Sequence, residues 1–388
     1  MFLADIIQGF LSGVISGVIP GLHINLVASV LSVFDLSAIA ILCMAFAHVV
    51  VDFVPSIFLG SSSEENSQSS LPGSRMVSRG LGFDAVRLCA CGCFMGVVCF
   101  FVLLPFLWFF DKFLFEFFAP FAGLVLCAVA ICMIFTERNW KLRFLALFVF
   151  LLSGLFGFFV LGSSISDPLL PMFSGLFGIS TLIYNLNSSF SFPRQVICEV
   201  YGSPFPRIFF LALAGFFCAY FVSLFPALSA SLSTIVVSKF LKFEVHEFLV
   251  VLGSISTSAL CCSIFNEFAV GKSRNGAVEI ALKDSGLNLQ MLLLIFACIL
   301  LLVGLAVILC VALARIFCSQ IHKVNFRTLS VIILTFTGIV VFFSGGLFSL
   351  LVLFVGCCLG LLPILAGVNR SLLMGSLIIP VLLGYLNF

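Results

Sequence analysis

Twelve apolar segments, most about as long as a bilayer is thick, leave this chain almost no way to fold in water. They fall at about 5–33, 36–59, 84–110, 113–136, 142–163, 168–186, 207–241, 245–266, 287–317, 327–344, 346–366 and 370–387. A spanning helix needs about 20 such residues. Of the 388 residues, 62% are hydrophobic and 9% charged, and the mean hydropathy is +1.32. No soluble fold of this length hides so much apolar surface. The expected class is an all-α polytopic membrane protein with about 10–12 apolar segments, multi-pass in the cell membrane. The short alternating strands of a β-barrel are not visible. A net charge of +2 without a basic, aromatic-laced patch excludes a nucleic-acid partner. Asp5 falls early and no small-residue cleavage site follows, so the first segment is expected to stay as a span.

Basic residues mark cytoplasmic loops. The links after 59 and after 136 carry Arg75, Arg79, Arg87, Arg138, Lys141 and Arg143, while the opposite links carry only Lys112. The N-terminus is therefore expected inside if 5–33 and 36–59 both cross. Segments 5–33, 207–241 and 287–317 exceed a single crossing, so they tilt or break. Segment 168–186 holds Pro168, Pro171, Gly175 and Gly178 and reads as a span that dips and returns or barely crosses. The 16 cysteines lie mostly in apolar runs, where they act as small hydrophobic residues. Cys89, Cys91 and Cys93 do not have metal-ligand spacing, and no metal is expected.

Inside the first segment, Gly17-Val18-Ile19-Pro20-Gly21-Leu22-His23-Ile24-Asn25 breaks the helical pattern. Pro20 removes a donor and clashes with the preceding turn. Gly17 and Gly21 lower the resistance to unwinding. His23 and Asn25 put polar groups beside the break, and polar groups at membrane depth are usually functional. The same stretch also reads as a proline kink whose polar groups bond to neighbouring helices. His48 and Asp52 are four apart on one helix face, able to pair, and are candidates for ion coupling. A polar loop, Gly60 to Phe83, follows directly. Its Gly60, Ser61, Glu64 and Glu65 are expected near the site.

Shifted by 206 residues, Pro20 meets Pro226, His23 meets Ser229 and Asn25 meets Ser231. With one more residue, Ser56-Ile57-Phe58 meets Ser263-Ile264-Phe265, and each half then enters a polar link, the second opening on Asn266. Matched breaks in two halves point to a transporter site at the repeat interface. The expected organisation is a first repeat at 1–166, a marginal segment and polar link at 167–205, and a second repeat at 206–388. Two half-helix ends would present free backbone donors to an anion without burying a lysine or arginine. Pro20, Gly21, His23, Asn25, Ser229 and Ser231 are the expected substrate contacts.

These motifs resemble a known family. Gly17 to Asn25, Asp52-Phe53-Val54-Pro55-Ser56-Ile57-Phe58-Leu59-Gly60, Leu71-Pro72-Gly73 and Gly80-Leu81-Gly82-Phe83-Asp84-Ala85-Val86 are similar to the large permease subunit of tripartite tricarboxylate transporters, most of all its archaeal branch. Further matches are Ser174 to Leu182, Gly360-Leu361-Leu362-Pro363 and Met374-Gly375. The resemblance implies a secondary carrier for a small organic di- or tricarboxylate, driven by H+ or Na+. It also implies a small membrane subunit and an extracytoplasmic binding protein; a homodimer stays open. Ser74 stands where the family often has histidine, and Ser61-Ser62-Ser63 replaces a proline- and carboxylate-bearing stretch, which weakens citrate specificity. Two rivals remain. A carrier or flippase for polyprenyl phosphate could use the same helix-end socket. An intramembrane enzyme would need more than four scattered histidines without a His-Glu-x-x-His pair.

Overall fold

The computed structural model describes residues 2–20, 22–59, 70–165, 167–186, 193–202, 204–225, 244–283, 286–323 and 325–386. The helices, in chain order, are α1 (Phe2–Val18), α2 (Ile24–Val33), α3 (Ala38–Val51), α4 (Phe53–Leu59), α5 (Ser70–Ser78) and α6 (Gly82–Phe118). They continue with α7 (Ala122–Phe135), α8 (Trp140–Leu161), α9 (Leu169–Phe173), α10 (Ser180–Leu186) and α11 (Phe205–Ser223). The last are α12 (Val245–Val270), α13 (Gly276–Leu282), α14 (Leu289–Gln320), α15 (Phe326–Ala366) and α16 (Gly375–Leu386). Among the described residues, seven helices are long and apolar enough to cross a membrane. Backbone groups in hydrocarbon must be satisfied within the chain, and helices do this locally.

The helices form two compact units: α1–α6 with α11–α14, and α7–α10 with α15 and α16. Each unit takes helices from both halves of the sequence.

In the first unit, α3 with α4 and α12 are buried along nearly their whole length. What lets neighbours reach them is glycine. A Cβ at Gly9 or Gly13 of α1 would overlap the Ala40 or Met44 carbonyl oxygen of α3. Gly92 of α6 meets the Val250 carbonyl of α12, and Gly253 of α12 meets the Cys89 carbonyl of α6. Lipid tails supply no hydrophobic drive between helices, so close backbone approach and interhelical hydrogen bonds hold them. The bonds are present: Thr257 Oγ1 donates to Cys93 O at 2.9 Å, Ser258 Oγ to Gly96 O at 3.1 Å, and Ser254 Oγ to Ala212 O at 2.7 Å.

The link before α11 is tied to the start of α6. Gln195 Oε1 accepts from Gly82 N at 2.9 Å, and Asp84, fully buried, accepts from Tyr201 N and from Arg87 Nε, both at 2.8 Å. Removing one partner of a buried pair leaves the other uncompensated. Asp84→Ala is therefore expected to cost roughly 3 kcal/mol, the low end for buried pairs because Arg87 keeps the Tyr201 carbonyl at 2.6 Å, Glu199 at 3.4 Å and some solvent contact. The check is a lowered unfolding midpoint in detergent.

In the second unit, Gly157 of α8 meets the Ser376 carbonyl of α16, and Ser153 Oγ donates to Leu372 O at 3.2 Å. A π-helical segment, Ser174–Ile179, joins α9 to α10. The half-buried Arg370 donates through Nη2 to Phe177 O at 2.8 Å and to Leu176 O at 3.4 Å. Arg370 pins the carbonyls that this wider turn loosens.

Several boundaries differ from expectation. The turn expected at 111–112 is absent: the helix runs on to Phe118, because nothing in Asp111-Lys112 breaks a helix and Asp111 is buried. The Gly60 to Phe83 loop contains α5 from Ser70. Segment 168–186 is helical from Leu169 onward. Segment 287–317 lies from Leu289 onward in one continuous helix, α14. The break expected between 344 and 346 is real: Gly346 has φ +69, which only glycine adopts cheaply.

Candidate functional site

The break in the first apolar segment falls at Pro20, and the two helices it leaves, of 17 and 10 residues, are each shorter than a full crossing. α1 ends at Val18, and α2 begins at Ile24 after extended backbone at His23 (φ −89, ψ 138). Pro20 cannot donate back to Ser16, which weakens the α-helical ladder at this point, although α6 runs on through its own Pro105. His23 caps the new helix. Its Nδ1 accepts from Asn25 N at 3.3 Å, satisfying one of the free donors at the helix start. The positive end of the α2 dipole thus lies at His23.

Asn25 follows on the first turn. Its amide rests on Gly276 at the start of α13, where a Cβ would come within 2.9 Å of Nδ2. Asn25 Oδ1 is buried and has no hydrogen-bond partner. Asn275 caps α13, accepting from Ala277 N at 3.0 Å.

The α3–α4 junction lies against the end of α1. A Cβ at Gly17 would sit 3.0 Å from His48 O and 3.3 Å from Asp52 N. Pro55 denies Val51 O its donor, and the helix is interrupted at Asp52. His48, Asp52 and Ser56 are all buried here. The structure so brings His48 and Asp52 to the end of α1, beside the break. The bond between them expected from i, i+4 spacing is not the one His48 makes. Its Nδ1 lies 2.9 Å from Ser16 Oγ on α1, and its Nε2 is buried without a hydrogen-bond partner. Gly13 and Gly17 let α1 come close enough for Ser16 to compete. Ser56 Oγ likewise has no partner.

Asn266 was expected in a loop near the site; it is inside α12 and buried. It donates to Ser223 Oγ at 3.2 Å and to Ser223 O at 3.3 Å, at the end of α11. Gly21, Gly60, Ser61, Glu64, Glu65, Pro226, Ser229 and Ser231 lie outside the described residues. Among the described residues, no group of three or more His, Cys, Asp or Glu is placed to hold a metal ion. Two embedded groups escaped the sequence reading: Asp111, which resembled a loop residue, and Arg370, at the edge of an apolar run. A charge flanked on both sides by phenylalanines, Phe109-Phe110 before Asp111 and Phe113 after it, was the available signal.

The sequence model of the Tripartite tricarboxylate transporter TctA family matches residues 3–375. The chain belongs to the TctA family. As a TctA-family protein it is an integral membrane transporter, not an enzyme, and the tripartite make-up of the family implies companion subunits. A curated relative, "Uncharacterized protein MJ1079" of Methanocaldococcus jannaschii, is 29% identical over 99% of both chains. No solved structure matches. The family match spans both the α1–α2 break and the π-helical segment of this TctA-family permease.

Proposed function

We propose that this TctA-family permease is a secondary active transporter for a small organic di- or tricarboxylate, driven by H+ or Na+. The observation that carries the reading is the interrupted first apolar segment. It sets a capped helix N-terminus, the His23 ring and an unsatisfied Asn25 amide oxygen side by side in a chain otherwise built of lipid-compatible helices. Helix N-termini attract anions through free N–H groups and the dipole. Broken spans of this kind recur at transporter substrate sites.

A pseudo-symmetric partner for this break belongs to the same proposal. Gly9, Gly13 and Gly17 of α1 are matched, 206 residues on, by Gly215, Ala219 and Ser223 of α11. Gly9, Gly13 and Gly17 pack on α3, and Gly215 packs on Ser254 and Val251 of α12. Equal spacing of small residues on the helices before Pro20 and before Pro226 supports a repeat in which 226–231 answers Pro20 to Asn25. The proposed companions are a small membrane subunit and an extracytoplasmic binding protein.

The test is a panel. Purified protein is heated with succinate, malate, citrate, tricarballylate and inorganic phosphate, and separately with a polyprenyl phosphate in detergent. A ligand that binds the folded state raises the melting temperature. Stabilisation by one or more carboxylates, followed by their uptake into proteoliposomes under an ion gradient, is the expected result. Stabilisation by the lipid phosphate alone would replace this reading with the lipid carrier.

A further inference from the structure

A second polar cluster lies in the first unit, built from three helices. Asp111 of α6 is 1% exposed, and the residues around it on that helix, Phe109, Phe110 and Phe113, are exposed and apolar. Tyr220 of α11 donates its hydroxyl to Asp111 Oδ1 at 2.8 Å. Asp111 Oδ2 is buried with no partner. One turn on, Ser223 Oγ donates to Tyr220 O at 2.7 Å and receives Asn266 Nδ2 at 3.2 Å. The Asn266 amide also donates to Ser223 O, which can only accept, so the orientation of the amide is determined. Asn266 Oδ1 is then a second buried acceptor without a donor. Trp108 and Phe265, with ring centroids 6.0 Å apart, hold α6 against α12 at this level.

The surplus is of one kind: acceptor oxygens, at the carbonyl end of α11, where the helix dipole is negative. A buried carboxylate with a bare oxygen is costly unless a positive charge meets it. We infer that Asp111, Tyr220, Ser223 and Asn266 form the site for the coupling cation, a Na+ ion or a proton taken up at Asp111 Oδ2. This rests on the transporter reading, and it moves ion coupling from His48 and Asp52 to Asp111. Tyr220 positions the carboxylate through Oδ1 and leaves Oδ2 for the ion. The titratable or charged neighbours in space or along the chain include Cys262 on α12 with Arg274 beyond it, Glu267 next to Asn266 with Glu279 near it, Lys112 and Glu116 along α6, and Lys272 over the Phe115 ring.

The experiment uses the full-length protein in detergent with no carboxylate present. Its melting temperature is followed in a NaCl series against choline chloride at fixed pH, and in a pH series in choline. The site predicts a rise of a few degrees in one of the two series. Asp111→Asn keeps the acceptor for Tyr220 and is expected to abolish that rise. Tyr220→Phe frees Oδ1 as well and is expected to lower the Na+ concentration, or shift the pH, at the midpoint of the response. A flat wild-type response in both series overturns the site, as does a wild-type-like response in Asp111→Asn. If Asp111→Asn does not fold, an unchanged midpoint in Tyr220→Phe overturns it instead. Proteoliposome uptake separates the two proposals. Carboxylate uptake that stays ion-driven in Asp111→Asn sinks the cation site and leaves the transporter. A cation response lost in Asp111→Asn, with no carboxylate transported by the wild type, keeps the site and sinks the proposed substrate.

Discussion

Uptake should collapse when His23 or Asn25 is cut back to alanine, while the protein stays folded. Asn25 carries a buried oxygen without a hydrogen-bond partner, and His23 stands on the free end of α2. Removing a buried polar contact to a ligand costs about 1–3 kcal/mol, which raises the half-saturating concentration roughly 5- to 150-fold. His23 has a second duty as the cap of α2, and losing a cap costs about 1 kcal/mol of stability. His23→Asn separates the two, because asparagine caps as well as any residue. It should restore the melting temperature but not the transport. Normal uptake in both alanine variants would remove these residues from the substrate site.

The largest stability loss is expected at Gly253, not at the site. A Cβ there would overlap the Cys89 carbonyl oxygen and come within 2.9 Å of its carbon and 3.0 Å of Cys93 N. These are backbone atoms of a packed helix, so no side chain can swing away to make room. Gly92 meets α12 in the same manner from the other side. Gly253→Val would force α6 and α12 apart and break the Thr257 and Ser258 bonds to Cys93 and Gly96. Overpacking alone costs about 1–3 kcal/mol. With about 1 kcal/mol for each lost hydrogen bond, a loss of roughly 3 kcal/mol or more is expected. The measurement is monodisperse yield by size-exclusion chromatography. Gly304, on α14, has open space around its Cα, so Gly304→Ala should be neutral or slightly stabilising. Equal yields from Gly253→Val and Gly304→Ala would refute the close packing of α6 on α12.

Much of the candidate site was legible because the signals around Pro20 are local. Proline alone does not end a helix here, since α6 carries Pro105 and α16 carries Pro380 inside them; at Pro20 it stands between Gly17 and Gly21, and His23 and Asn25 are tied to the break by adjacency. Side-chain pairing was not legible in that way. Spacing along one helix joined His48 to Asp52, but the bond went to Ser16, 32 residues earlier, once glycines had drawn α1 onto α3. Asp111 read as a loop residue because its partner, Tyr220, lies 109 positions away on another span.

From the sequence alone came the membrane, the helices, the break at Pro20 and the likeness to carboxylate permeases. Each of these follows from free energies set residue by residue: transfer of apolar groups out of water, and the missing donor of proline. Which spans would be buried on every side, and which oxygens would be left without donors, only the tertiary packing decided. Those outcomes depend on where a glycine-bearing face meets the backbone of another helix, a contact that neither helix specifies by itself.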